Sequence, residues 1–276
     1  MSEARCRNKY SLFCLICPPK RNIMTNKIAF ITGASSGIGE ATARLLAAQG
    51  FNLILNARRK DKIEKLAVEL SNTFSIKTLV LVFDVRNHNE VKSTIEGLNS
   101  EWNNIAVLVN NAGLASGLSP VYEGNINDWE IMIDTNIKGL LYVSKYILPI
   151  MKNNKSGHVI NIGSIAGKEV YNNGNVYCAT KHAVDALSKG MRIELAPFGV
   201  KVTAIHPGAV ETEFSIVRFH GDEEKANKVY EGFENLVAND IAESIWFCLN
   251  RPYRVNINEL IIMPTAQPIA SIINRN

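Results

Sequence analysis

The 276-residue chain has no uninterrupted apolar run of about 18 residues, so no helix that crosses a bilayer is expected. The apolar stretch at 260–273 is broken by Pro264, Thr265, Gln267 and Pro268. Repeats of about 20–50 residues are absent, and so are Pro-, Gly- or Ser-rich linkers, which excludes a solenoid or a string of small domains. The chain is not short of apolar residues. At 46% hydrophobic it can bury a core, which excludes a disordered protein. Cysteine is scarce through most of the length. Cys6, Cys14 and Cys17 crowd the first 23 residues, and only Cys178 and Cys248 follow. Two cysteines make no disulfide framework, which suits a reducing cytoplasm. Excess charge is missing from the same region. The net +4 resides in residues 1–23, where Arg5, Arg7, Lys9, Lys20 and Arg21 stand against Glu3. The remaining 253 residues balance 25 basic against 25 acidic side chains. No basic stripe with interleaved aromatics is left to bind a polyanion, so no nucleic-acid partner is expected.

Residues 1–23 have no steady period and end in Pro18-Pro19-Lys20-Arg21, just ahead of a second methionine, Met24. A secretory signal needs an apolar centre of roughly 7–15 residues and a small-residue cleavage site. Ser11 to Cys17 is too short and has no such site. Cys14-x-x-Cys17 is half of a metal or redox motif, but no second Cys or His pair follows at metal spacing, so no metal is expected. The segment reads as a disordered extension, or as sequence upstream of a natural start at Met24. Residues 24–276 read as one domain.

In that domain, short runs that are apolar throughout alternate with helical periods. Strands are expected at 28–32, 52–56, 78–83, 107–109, 158–162, 200–205 and 260–263. Helices are expected at 37–49, 61–70, 90–102, 126–151 with a break near Pro149, 175–195 and 241–249. In the first helix Ile38, Ala41, Leu45 and Leu46 share a face, and Gly50 ends the period. Uniformly apolar strands separated by helices indicate a parallel sheet covered on both faces. Right-handed crossovers then give an α/β, doubly wound sheet of the Rossmann type. Residues 211–234 are less regular and are expected to form an insertion over the site.

The turn after the first strand reads Thr32-Gly33-Ala34-Ser35-Ser36-Gly37-Ile38-Gly39. Gly33 permits a tight turn, Gly37 lets the backbone approach a pyrophosphate, and Gly39 lets helix and strand pack closely. The helix N-terminus offers free N–H groups and a positive dipole end to phosphate. Folds that bind NAD place a carboxylate about 20 positions further on, for the ribose hydroxyls. Here the second strand ends Asn56-Ala57-Arg58-Arg59, with no carboxylate before Asp61. Two guanidiniums suit a 2′-phosphate, so the expected cofactor is NADP(H). Asp84-Val85 at the end of the third strand either brackets the adenine, with the Asp84 carboxylate on its amino group, or starts a helix with Asp84 as N-cap.

Further on, Ser164 follows a strand, and Tyr177 stands thirteen residues later in Tyr177-Cys178-Ala179-Thr180-Lys181. Residues four apart share a helix face, so Tyr177 and Lys181 point the same way. A nearby ammonium favours the phenolate and lowers a phenol pKa that is ordinarily about 10. Such a phenol can exchange a proton with a hydroxyl or carbonyl, and Ser164 can hydrogen-bond the same oxygen. Cys178 has no His partner at motif spacing and is not expected to act as a nucleophile.

Together with Asn110-Asn111-Ala112-Gly113, Asn136 and Pro207-Gly208, these motifs resemble the short-chain dehydrogenase/reductase family over roughly residues 27–264. The resemblance implies that Tyr177 is the general base, or the acid in reduction. It implies that Lys181 binds the nicotinamide ribose and lowers the Tyr177 pKa, that Ser164 orients the substrate oxygen, and that Asn136 holds a water in a proton relay. It implies that Asn111, Ala112 and Gly113 line the cofactor, and that Pro207, Gly208, Val210 and Thr212 contact its nicotinamide end. A homotetramer pairing the long helices near 126–151 and 175–195 is also implied.

A narrower likeness is carried by Asp128-Trp129-Glu130, Gly174-Asn175-Val176-Tyr177, Thr212-Glu213-Phe214-Ser215 and Val255-Asn256-Ile257-Asn258. These segments resemble bacterial NADP-dependent 3-hydroxy acid dehydrogenases, including those acting on serine, allo-threonine and malonic semialdehyde. The likeness implies hydride transfer between nicotinamide and C3 of a short 3-hydroxy acid. A substrate carboxylate needs a cationic or multiply donating partner. Arg218 is the expected one, with His220, Lys168 and Asn173 as other candidates, unless Arg218 is a surface residue paired with Glu211 or Asp222. A 3-oxoacyl reductase of the same family is a weaker reading, because residues 260–264 replace a glycine-rich end. A non-catalytic NADP(H)-binding regulator is another, but Ser164, Tyr177, Lys181 and Asn136 are all retained.

Overall fold

The computed structural model describes residues 27–276. The expectations for residues 1–23 and for Met24, with Cys6, Cys14, Cys17 and the cationic excess, lie outside the described residues.

The chain runs β1 (Ile28–Thr32), α1 (Gly37–Ala48), β2 (Asn52–Ala57), α2 (Lys60–Phe74), β3 (Thr78–Val82), α3 (His88–Glu96) and β4 (Ile105–Asn110). A second half follows as α4 (Ile126–Ile133), a π-helical turn (Asp134–Gly139), α5 (Leu140–Asn153), β5 (Gly157–Ile162) and a 3₁₀ turn (Ile165–Gly167). It continues as α6 (Asn175–Leu195), β6 (Val200–Pro207), β7 (Val210–Glu211), α7 (Phe214–Arg218), α8 (Glu223–Lys228), β8 (Leu236–Val237), α9 (Ala238–Leu249) and β9 (Glu259–Ile262). Seven strands form one sheet in the order β3-β2-β1-β4-β5-β6-β9, and all six pairings are parallel. The order reverses between β1 and β4, which opens a crevice at the carboxyl ends of the strands.

Why the strands are apolar throughout is plain from the packing. Successive side chains point to opposite faces. Ala29, Ile31, Leu53 and Leu55 meet α1, α2 and α9 on one side. Phe30, Ile54 and Leu108 meet α3, α5 and α6 on the other. With both faces covered, most positions are apolar, and the buried polar side chains that the strands do carry, such as Asn110 and Asn161, bond one another. Phe30 has no exposed surface, and truncating it to alanine removes about 3–5 kcal/mol of stability.

Most expected boundaries fall within three residues of those observed, and three differences have a visible cause. The helix expected at 90–102 ends at Glu96, where Gly97 caps it. Trp102 is buried nonetheless, from a turn, so its apolar character had extended the apparent period. The helix expected at 61–70 runs from Lys60 to Phe74, because polar Asn72 and Thr73 carry it past its buried stripe. The break expected near Pro149 does not occur there, and α5 continues to Asn153. Pro149 lies on the exposed side, so the carbonyl that its ring leaves unbonded faces water. The interruption falls instead at Asp134–Gly139, where the helix widens to a π turn. Gly139 lets the backbone pass close to Val85, since a Cβ there would sit 2.7 Å from Val85 Cγ2.

Residues 211–234 contain α7 and α8. The short parallel pair Val210↔Leu236 and Glu211↔Val237 ties the two ends of the segment together.

Candidate active site

One cleft of about 500 Å³ runs along the carboxyl ends of the strands. At one end it is walled by the β1–α1 turn. Gly33 has φ +65° and Gly37 has φ +53°, a region that β-carbons disfavour. A Cβ on Gly33 would approach Ala112 Cα at 3.0 Å, so the turn rests directly on the strand-end loop Asn111–Gly113. Asn111 locks that contact, because its Nδ2 donates to the carbonyls of Thr32 (2.9 Å) and Gly33 (3.1 Å). Gly39 does not line the cleft. A Cβ there would lie 2.3 Å from the Gly33 carbonyl oxygen, so its role is helix-to-turn packing, as its spacing suggested. Ser36 precedes α1 and makes no side-chain cap, which leaves the first N–H groups of the helix free for an anion.

Arg58 and Arg59 stand at the rim. Arg59 donates from Nη2 to Ser36 Oγ (2.7 Å) and Ser35 Oγ (3.2 Å), and from Nη1 to Glu213 Oε2 (2.7 Å). Lys62 also reaches Glu213, at 3.0 Å. Arg58 Nη1 is 3.7 Å from Asp84 Oδ2. The donor set of two serine hydroxyls and two guanidiniums is the chemistry a phosphate monoester needs. The Glu213 carboxylate is an internal anion already held by part of it. Thr135 Oγ1 is buried, lines the cleft and has no protein partner. The residues present therefore fit a phosphorylated dinucleotide.

Asp84 and Val85 line the same end. Asp84 is not the N-cap of α3; Asn87 is, accepting from the Glu90 amide. The Asp84 carboxylate instead accepts from Arg86, from the backbone N–H at 3.0 Å and from Nη2 at 2.7 Å. Burial alone would raise the Asp84 pKa, but these bonds hold it below the usual carboxylate range.

At the other end Ser164, Tyr177 and Lys181 converge. Ser164 caps the 3₁₀ turn, with Oγ accepting from the Ala166 amide at 3.1 Å, so its hydroxyl hydrogen is free to point into the cleft. Tyr177 is almost fully buried, its ring edge-on to Phe214 at 5.7 Å. Lys181 Nζ donates to the Ile162 carbonyl at 2.9 Å and lies 5.9 Å from the Tyr177 ring centroid. The charge argument from the i, i+4 pair expected a phenol shifted toward neutrality. Burial outweighs it, and the Tyr177 pKa stands above its ordinary value, although Ser164 and Arg218 favour the phenolate. Burial likewise lowers the Lys181 ammonium to about 8. Cys178 is buried and its thiol is pushed up by desolvation, which agrees with an inert side chain.

Asn136 lies in the π turn, behind the cleft wall. Its Oδ1 accepts from the Leu114 amide, and its Nδ2 donates to the Leu114 carbonyl (2.8 Å) and to Thr180 Oγ1 (3.0 Å). Pro207, Gly208, Val210 and Thr212 line the cleft between the two ends, with Thr212 Cγ2 3.3 Å from where a Gly37 Cβ would be.

Arg218 is in the cleft and pairs with neither Glu211 nor Asp222. Asp222 pairs with Lys225, and Arg218 joins no ion pair among the described residues. Its Nε donates to the Gly117 carbonyl at 3.3 Å, and its guanidinium carbon lies 5.5 and 5.7 Å from the rings of Tyr171 and Tyr177. The other candidate carboxylate partners stand elsewhere. Lys168 is engaged with Asp185 (2.8 Å) and Glu259 (2.6 Å), His220 faces Asp128 at 3.4 Å, and Asn173 occupies a turn at φ +61°.

Sequence reasoning missed Tyr171, Phe214 and Gln267 as lining residues. Gln267 belongs to the segment after β9 and accepts from the Ala209 amide at 2.8 Å. The prolines on either side of that segment were a visible sign that it leaves the sheet and turns back.

A parallel sheet with a glycine-cradled anion site at one end of its crevice and a Ser, Tyr, Lys set at the other defines a nicotinamide-dependent oxidoreductase class. Residues 27–222 match the short chain dehydrogenase family, and the chain belongs to it. It is 44% identical over 246 residues to the NADP-dependent 3-hydroxy acid dehydrogenase YdfG of Escherichia coli strain K12, covering 89% of this chain and 98% of that protein. It is 42% identical over 253 residues to the NADP-dependent 3-hydroxy acid dehydrogenase of Schizosaccharomyces pombe, covering 91% and 98%. Among solved structures, the closed form of serine dehydrogenase complexed with NADP+ superposes with a TM-score of 0.84 at 42% identity, covering 89% and 98%.

Proposed function

We propose that this protein is an NADP-dependent dehydrogenase of short 3-hydroxy acids. The observation that carries the reading is Arg218, a guanidinium without a carboxylate partner among the described residues, in one cleft with Ser164, Tyr177 and Lys181. The names of the relatives support the same chemistry. When bound, NADP(H) accepts a hydride from C3 of the hydroxy acid or returns one to the 3-oxo acid. Tyr177 takes the hydroxyl proton as the C3 hydride leaves, and gives it back in reduction. Ser164 donates its free hydroxyl hydrogen to the same oxygen. Lys181 holds a nicotinamide ribose and supplies positive charge beside the phenol. Arg58, Arg59, Ser35 and Ser36 take the 2′-phosphate, with Gly33, Gly37 and Ile38 at the pyrophosphate. Asp84 and Val85 flank the adenine, Asn111–Gly113 line the ribose side, and Pro207, Gly208, Val210 and Thr212 border the nicotinamide. Both amide protons of Asn136 are engaged within the protein, so Asn136 serves a relay water only through its backbone. Arg218 takes the substrate carboxylate in a bidentate pair.

A homotetramer built on α4, α5 and α6 is supported by exposed Ile126, Leu141 and Ile193 on those helices, and sedimentation tests it. Buried, unpaired Cys178 and Cys248 favour a cytoplasmic setting. No helix of the described residues is long and apolar enough to cross a membrane.

The test is a panel of L-serine, L-allo-threonine, 3-hydroxypropionate and malonic semialdehyde, run with NADP(H) and NAD(H), beside Tyr177→Phe. Turnover with NADP(H), lost in Tyr177→Phe while NADPH binding persists, is the expected result. Tight NADPH binding with no turnover of any acid would mark a binding regulator instead.

A further inference from the structure

Below Ser164, on the side away from the cleft, lies a group of charges that the proposed chemistry does not use. His206 is the penultimate residue of β6 and has no exposed surface. Its Nδ1 is 3.2 Å from the Ser164 carbonyl oxygen. A carbonyl oxygen only accepts, so Nδ1 carries the proton. A Cβ on Gly163 would lie 2.5 Å from that nitrogen, so the ring reaches Ser164 only because residue 163 has no side chain. On its far edge, unprotonated Nε2 lies 3.6 Å from Asp185 Oδ1 and makes no hydrogen bond, so the ring is held through Nδ1.

Asp185 and Glu259 share the Lys168 ammonium, at 2.8 and 2.6 Å. Lys189 adds a second cation, 2.9 Å from Asp185 and 3.6 Å from Glu259. Two carboxylates and two ammoniums are balanced while the imidazole is neutral. Asp185, His206 and Glu259 have the donor types of a divalent metal site, but the Lys168 ammonium bridges the two carboxylates, so the cation of this cluster is a tethered one.

The connections matter more than the charge. Lys168 directly follows the 3₁₀ turn that Ser164 caps. Asp185 stands four residues beyond Lys181 and eight beyond Tyr177, on the same face of α6. The cluster therefore joins the Ser164 turn to the helix that carries Tyr177, and His206 fixes the turn's first residue from β6. We propose that His206, which ties the Ser164 carbonyl to β6 while Lys168, Asp185 and Glu259 tie the end of the same turn to α6 and β9, is a positioning residue that holds the Ser164 hydroxyl in register with the Tyr177 phenol.

This rests on the reading that Ser164 acts on the reacting oxygen, so one arm of the test is independent of turnover. Asparagine at 206 retains a donor at the Nδ1 position, whereas glutamine moves it toward Nε2. In His206→Gln, hydrogen exchange at the amides of 165–168, read by mass spectrometry, is expected to quicken, and in His206→Asn to stay near the wild type. On whichever substrate of the panel the wild type turns over best, His206→Gln is expected to lower kcat by about 10- to 100-fold, the size of a misplacement near 1 Å. KM and the NADPH Kd stay unchanged, and His206→Asn restores most of the rate. In a Ser164→Ala background, His206→Gln adds no further loss. Unchanged exchange in His206→Gln, or a loss that multiplies with that of Ser164→Ala, overturns the proposal. A wild type that turns over no substrate overturns the functional reading and leaves the exchange arm to decide this one.

Discussion

Replacing Arg218 with alanine removes a cation that the protein itself leaves without a carboxylate. The side chain makes one hydrogen bond within the protein, from Nε to the Gly117 carbonyl at 3.3 Å. The backbone half of that contact, Gly117 N–H to the Arg218 carbonyl at 2.9 Å, survives the substitution, so folding is little affected. A carboxylate about 4 Å from the guanidinium gains roughly 4 kcal/mol at an effective dielectric near 20. Desolvation of both ions reduces that, and hydrogen bonds between charged groups are worth about 1.5–3 kcal/mol net. At about 1.4 kcal/mol per factor of ten, kcat/KM for a 3-hydroxy acid should fall by roughly 10- to 150-fold. A second effect accompanies the first. Arg218 favours the Tyr177 phenolate, so its loss moves the Tyr177 pKa further up and shifts the rising limb of the oxidation rate profile to higher pH. An uncharged alcohol of the same size reports only this second effect. Arg218→Lys keeps the charge without the fork and should fall between wild type and alanine for the acid. The assay is kcat/KM against pH for 3-hydroxypropionate and for an uncharged propanol. Equal losses on acid and alcohol, or no loss on either, would refute the carboxylate assignment.

Three further outcomes follow from the same geometry. Arg59→Ala should weaken NADPH binding by roughly 10-fold or more and NADH binding little, measured by fluorescence titration, with Arg58→Ala milder because Arg59, and not Arg58, bonds the Ser35 and Ser36 hydroxyls of the glycine turn. Gly39→Ala places a methyl 2.3 Å from the Gly33 carbonyl oxygen and should cost about 1–3 kcal/mol, read as a Tm lowered by roughly 2–4 °C per kcal/mol. His158 is buried between β5 and β6, and desolvation lowers its pKa to about 3. The unfolded chain then binds a proton that the folded one refuses, so stability falls as pH drops from about 6.5 toward 3, by up to about 1.4 kcal/mol per unit. His158→Gln should flatten that slope in urea titrations, and an unchanged slope would assign it to other groups.

Much of this molecule was legible from spacing. The strand runs, the glycine turn and the Ser164–Tyr177–Lys181 interval are local patterns, and each sits where its period placed it. What escaped depends on the partner or the exposure a side chain takes only in the folded chain. Arg86 lies two residues beyond Asp84, yet spacing alone does not show that its guanidinium takes that carboxylate and leaves the cap of α3 to Asn87. Pro149 looks like a breaker because its solvent exposure is invisible in one dimension. Lys168 stood beside Arg218 as another candidate for a substrate carboxylate, and nothing in its own stretch of sequence shows that β9 brings Glu259 against it from 91 positions away. Burial is likewise a property of the packed state, which is why the Tyr177 phenol lies higher than the charge argument alone implied.

The π turn at Asp134–Gly139 makes part of this site depend on a count and not on an identity. It takes in one residue more than an α-helical turn of the same span. Removing any one of its six residues would let α4 and α5 fuse into a single regular helix and rotate α4 by about 100° about its axis. Asn136 would lose Leu114 and Thr180, and Trp129 and Met132 would swing away from the cluster around Tyr177. Substitutions in this stretch perturb single contacts, whereas a deletion of any residue dismantles them together, so its length is the less forgiving variable for anyone shortening or grafting the domain.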